Sequence, residues 1–147
     1  MKRLGIILLL LVFLVGCTPE TTLSTDIPTS VDIDLTQMAE SEAYEQMIAF
    51  RTDAIDYVGK VIRLTGYHKC APTDTMTYHV CVVNDVQTSE TEGLEFELEE
   101  GLNYPEEGAE ITISGVFETY MEGENLYCHL TNAKLESVGK QEYKPYN

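Results

Sequence analysis

Lys60-Val61-Ile62-Arg63-Leu64-Thr65-Gly66-Tyr67-His68-Lys69-Cys70, followed by Ala71-Pro72-Thr73-Asp74-Thr75, Met76 and Thr77-Tyr78-His79-Val80-Cys81-Val82-Val83-Asn84, is the stretch that decides the fold. Its first part alternates, with Ile62 and Leu64 on one side and Arg63 and Thr65 on the other, as a half-buried strand does. Proline, aspartate and threonine then mark a turn. The second part is rich in tyrosine and valine, which suit strands. The two form a hairpin about Asp74-Thr75. In that register His68 lies opposite Cys81, and Cys70 opposite His79.

Working outward, three further strands follow. Gly93–Leu98 places Leu94, Phe96 and Leu98 on one face. Gly101–Gly108 is a loop holding Tyr104-Pro105. Ala109–Tyr120 alternates through Ile111, Ile113 and Phe117. Glu122-Gly123-Glu124-Asn125 makes a hairpin turn, and Leu126–Thr131 is the last strand. Upstream, Met38, Tyr44, Met47, Ile48 and Ile55 recur at helical spacing from Thr36 to about Ala54. Thr36 is placed to cap that helix, Glu40 and Glu42 favour its N-terminal dipole, and Gly59 stops it. The expectation is a mainly β domain, a small five-stranded OB-like barrel preceded by one α-helix. Closure removes exposed strand edges. An open antiparallel sheet with a packed helix is the alternative. Gly66 and Gly115 sit inside strands and are read as bulges.

The chain begins with Lys2 and Arg3, then an uncharged apolar run from Ile6 to Val15. Ten helical residues reach about 15 Å, half of a bilayer core. That length fits a secretory signal and not a stable span. The run closes in Leu14-Val15-Gly16-Cys17, which resembles the lipobox of bacterial lipoproteins. The resemblance implies diacylglyceryl transfer to Cys17 and cleavage before it. Residues 1–16 are therefore read as signal peptide. Residues 17–35, rich in Thr, Ser and Pro at their start, are read as the lipidated cysteine and a flexible linker. Residues 36–140 form the domain, and 141–147 a tail. Expected localisation is the extracytoplasmic face of the cell membrane, with the membrane as partner through the lipid.

The formal charge is −16, and loss of Lys2 and Arg3 takes it to −18. Such a chain is repelled by phosphate backbones, so nucleic acid is excluded as a direct partner. Acidic residues concentrate between Asp85 and Glu110, the pattern of a solvated face. A calcium loop is not present: Asp32-x-Asp34 runs on without the required Gly and closing Glu.

Several stretches together resemble a group of small uncharacterised lipoproteins of Gram-positive, clostridia-like bacteria with OB-like bodies. These are Tyr57–Gly66, Gly93-Leu94-Glu95-Phe96, and Tyr104-Pro105-Glu106-Glu107-Gly108 leading to Ile111–Tyr120. The resemblance covers most of residues 44–136 and implies no activity. Many members of that group carry adjacent cysteines shortly before the Gly-Leu-Glu-Phe stretch. This chain has Ser89-Glu90-Thr91-Glu92 there, so chemistry of that pair does not carry over. Cys81 and Cys128 match cysteines of the group.

Beyond Cys17 there are three cysteines and three histidines, in His68-Lys69-Cys70, His79-Val80-Cys81 and Cys128-His129. Residues two apart on a strand share a face. The hairpin register therefore gathers His68, Cys70, His79 and Cys81, with Cys128 or His129 able to join. Three readings stand. One is a disulfide among Cys70, Cys81 and Cys128, as Cys70–Cys81 or Cys81–Cys128. Another is a zinc or copper site drawn from His68, Cys70, His79, Cys81 and Cys128. The last is buried, inert thiols beside surface histidines. One conflict is built in. His68 and Cys70 share parity with Ile62 and Leu64, whereas His79 and Cys81 oppose Val80 and Val82. A shared patch then needs a bulge at Gly66.

No catalytic residue is assigned. Gly-x-Ser-x-Gly, a phosphate-binding glycine loop and His-Glu-x-x-His are missing from the sequence, and Cys128 and His129 point to opposite faces, wrong for a dyad. The leading expectation is a non-enzymatic, membrane-anchored binding module for an unassigned small molecule, metal or protein, with Tyr67, Tyr78, Tyr120 and Tyr127 as candidate binding-face residues. The alternative is a metal-binding (Zn or Cu) or thiol-redox lipoprotein using the His/Cys cluster.

Overall fold

The computed structural model describes residues 30–140. The expected signal peptide, Cys17, the linker up to Thr29 and the tail lie outside them. The described chain is mainly β, with six strands in one sheet and one α-helix. In chain order these are β1 (Ile33–Asp34), α1 (Glu40–Thr52), β2 (Val61–Pro72), β3 (Thr77–Asn84), β4 (Thr91–Leu98), β5 (Glu110–Glu122) and β6 (Asn125–Val138). The sheet order is β1-β2-β3-β4-β6-β5, and β2 also pairs with β5. Among the described residues no helix is long and apolar enough to cross a membrane.

β2 is the hub. Its residues 61–67 pair antiparallel with β5, and its residues 67–72 with β3, both in unbroken register. The hairpin register is the one expected: His68 opposes Cys81 and Cys70 opposes His79. The expected bulge at Gly66 is not there. Ile62, Leu64, Gly66 and His68 all face inward on one continuous strand. The parity conflict is resolved on β3 instead, where Cys81 is fully buried and Val80 and Val82 are only half-covered. Gly66 serves close approach. A Cβ there would lie 2.5 Å from the Val82 carbonyl oxygen and 2.8 Å from Cys81 Sγ. Gly115 does lie beside a bulge: the β5–β6 register shifts between Ser114 and Val116, where Asn132 on β6 takes φ 48°. That bulge lets β6 continue to Val138, past the expected end at Thr131.

Residues 32–35, expected in the linker, belong to the domain. The Val61 amide donates to Asp32 Oδ2, Ile33 and Asp34 pair with β2, and Leu35 is buried. The helix starts later than expected. Asp34, not Thr36, caps a short 3-10 turn over Leu35–Gln37, and α1 begins after Ala39. Its buried face is Ala43, Tyr44, Met47 and Phe50. Ile55, expected on that face, is 70% exposed because the helix ends at Thr52 and a second 3-10 turn changes direction. Gly59, at φ 84°, closes that second turn and feeds β2. Phe50 anchors the helix to the sheet, edge-on to Tyr57 at 4.8 Å and tilted against Phe117 at 5.3 Å. Such aromatic pairs add to area burial by about 0.5–1.5 kcal/mol each.

Gly66→Ala is expected to destabilise the domain by at least about 1–3 kcal/mol, because the methyl meets backbone that cannot move aside. Denaturant unfolding checks this; an unchanged midpoint would disprove the close-approach role.

Candidate functional site

At the far end of β2 the strand carries His68 and Cys70 inward, and β3 brings His79 alongside. His68 is fully buried, while Cys70 and His79 are half-buried. His68 Nε2 lies 2.9 Å from His79 Nδ1. Cys70 Sγ lies 3.9 Å from His68 Nε2 and 4.0 Å from His79 Nδ1. Three donor atoms thus converge on one point.

The segment between β4 and β5 closes over them. His68 Nδ1 faces the Glu106 carbonyl oxygen at 3.3 Å. That oxygen can only accept, so the network assigns the His68 proton to Nδ1 and leaves Nε2 as a lone pair. His79 Nδ1–H then donates to it. The same segment is tied to β2 by the Gly108 amide donating to the His68 carbonyl at 2.7 Å, and the His68 amide donating to Ala109 O at 2.9 Å. Tyr104 lies flat on His79, with centroids 3.4 Å apart and planes 9° apart. Phe96 meets the His68 ring edge-on at 5.7 Å. Burial, with His68 beside it, lowers the pKa of His79 below the ordinary imidazole value and favours its neutral form.

Of the five residues expected to gather, His68, Cys70 and His79 meet and Cys81 and Cys128 do not. Cys81 shares the inward face, but its sulfur sits against Gly66 in the core. Burial pushes its thiol far above the ordinary range. Cys128 is on β6, and β4 lies between β6 and β3. All three cysteines among the described residues are free thiols. Cys70 and Cys81 are diagonal across the hairpin. Diagonal partners lie about 7–8 Å apart, at or beyond the reach of a disulfide. Sequence reading missed Glu106 and Tyr104, which act through a carbonyl and a ring face. Only the Tyr-Pro between two glycines hinted that this loop is shaped.

A separate cleft of about 570 Å³ runs between α1 and the β5–β6 hairpin. Met47, Phe50, Leu94 and Val80 line it with Tyr78, Tyr120 and Tyr127. Two phenols are held by carboxylates: Tyr78 Oη donates to Glu122 and Tyr120 Oη to Glu95, at 3.1 Å and 2.7 Å.

No family model, curated protein or solved structure matches the chain.

In a chain carrying C17S, a thiol-exchange reagent is expected to modify Cys70 and Cys128 in the folded state and Cys81 only after denaturation. Mass spectrometry of the labelled peptides checks this, and rapid native labelling of Cys81 would contradict its burial.

Proposed function

We propose that this chain is an extracytoplasmic lipoprotein whose domain binds one transition-metal ion, zinc or copper, through His68, Cys70 and His79. The observation that carries this reading is the convergence of three donor atoms within 4.0 Å, with the remaining His68 nitrogen held by a backbone carbonyl. Zinc bonds of about 2.0 Å to nitrogen and 2.3 Å to sulfur put tetrahedral ligands roughly 3.3–3.6 Å apart. The observed spacings differ from these by a few tenths of an ångström. A carbonyl on the second imidazole nitrogen is the usual means of orienting a metal-bound histidine. Two imidazoles and a thiolate suit zinc with one further ligand, or copper in a trigonal set.

The metal would take the place of the His79 proton now shared with His68, and Cys70 would lose its own proton on binding. Binding therefore releases a proton, and affinity rises with pH. His79 is already favoured neutral, so it presents little competing proton at neutral pH.

The double pairing of β2, to β3 and to β5, supports reading the sheet as a five-stranded OB-like barrel with α1 against it. The signal-like start and Leu14-Val15-Gly16-Cys17 support lipidation at Cys17, and so an anchor on the outer face of the membrane. A second reading, a binding module for a small organic ligand, is favoured by the tyrosine-lined cleft. It needs no metal.

The mature chain is expected to bind about one equivalent of zinc or copper at a thiolate-containing site. Cys70→Ser and His79→Ala should each weaken that affinity by more than about tenfold, the loss a supporting residue alone can cause. Metal analysis and competitive titration read this out; wild-type affinity in both variants would refute the site. Separately, Cys17→Ser is expected to abolish incorporation of labelled fatty acid in the expressing cell. Continued labelling of that variant would place the lipid elsewhere.

A further inference from the structure

We infer a second cation site, oxygen-rich and free of sulfur, formed by Glu95, Glu97 and His129. Glu95 and Glu97 are two apart on β4 and share a face. The parallel pairing of β4 with β6 sets His129 opposite Glu95. One donor atom from each of the three lies within 4.8 Å of the others.

The second observation is an orphaned atom. His129 Nδ1 is buried and has no hydrogen-bond partner among the described residues. Its carboxylate neighbour, Glu97 Oε1, is 3.6 Å away. That is too long for a hydrogen bond, and it is close to the spacing of two ligands on one ion with bonds of about 2.0–2.2 Å. A buried imidazole nitrogen without a partner is costly to keep. A cation between it and the two carboxylates removes that cost. Tyr120 supplies the support such sites use. Its hydroxyl donates to Glu95 Oε2 at 2.7 Å, which fixes that carboxylate and leaves Oε1 for an ion. The Tyr120 ring lies 4.9 Å from the His129 ring.

Donor chemistry separates this site from the first. Two carboxylates and one imidazole are harder than two imidazoles and a thiolate, so the ion is a divalent one of the manganese, cobalt or zinc type, and not copper(I). The chain's negative charge favours any bound cation. His79 of the thiolate site and all three residues of the second site line one cavity of about 470 Å³. The site's ligands are nevertheless its own, so it stands whether or not the first is loaded.

Cobalt(II) titration of the mature chain tests this, because only a thiolate-bound ion gives sulfur-to-metal charge-transfer absorption. The native chain is expected to take up two equivalents, one with that absorption and one without. Glu97→Gln and His129→Gln should each lose the second equivalent, or weaken it at least tenfold, and keep the charge-transfer band. Cys70→Ser should do the reverse. Glu97 is exposed, so Glu97→Gln serves even if His129→Gln fails to fold. Native stoichiometry and affinity in Glu97→Gln would overturn the proposal. One equivalent lost in Glu97→Gln, with no charge-transfer band in the native chain, would uphold this site and refute the thiolate site. Binding of a single thiolate-bound ion by the native chain would do the opposite.

Discussion

The contact of Gly66 with the Val82 backbone governs the rest of the structure. β3 can lie against β2 only because no side chain intervenes there. With that approach fixed, β2 runs twelve residues without a break, and Ile62, Leu64 and His68 point into the core on either side of Gly66. The strand thereby carries one face from aliphatic packing at one end to imidazole chemistry at the other. A bulge would have turned His68 and Cys70 outward and dissolved the cluster.

The hairpin and its register were legible in the sequence, because a turn between two alternating strands leaves one pairing that matches both. The gathering of His68, Cys70 and His79 followed from it. What misled was β3, where valine and cysteine alternate and both faces look apolar. Val80 and Val82 are half-covered from outside: Val80 leans across Gly93, whose missing side chain makes room for it. Hydrophobic alternation therefore could not say which face was the core. Cys128 was misplaced for a different reason. The parallel pairing of β4 with β6 joins strands far apart in sequence, and nothing local encodes it. The same pairing creates the Glu95–His129 neighbourhood, hidden within what read as a plain acidic surface. The start of the domain was missed because Asp32 and Asp34 act through side-chain hydrogen bonds in a segment that resembles a linker.

The segment from Glu99 to Ala109 joins folding and chemistry. Gly101 and Gly108 both take positive φ, at 87° and 86°, and between them the chain turns back over the end of β2. This short path delivers a ring to one histidine and a carbonyl to the other. It explains why the two imidazoles differ. The His68 ring is held by the Glu106 carbonyl on one nitrogen and by His79 on the other, whereas His79 is held by a stacked ring and by His68 itself.

His68 has a further meaning in terms of selection. Its position continues the row of Ile62 and Leu64, and a leucine there would satisfy the core without asking for a polar partner at either end. Folding alone thus favours losing this histidine. A lineage that kept only the fold would drift toward an aliphatic residue, and with it the loop carbonyl that serves the ring would be released from constraint. The buried imidazole therefore asks the core for polar partners that an aliphatic side chain would not need.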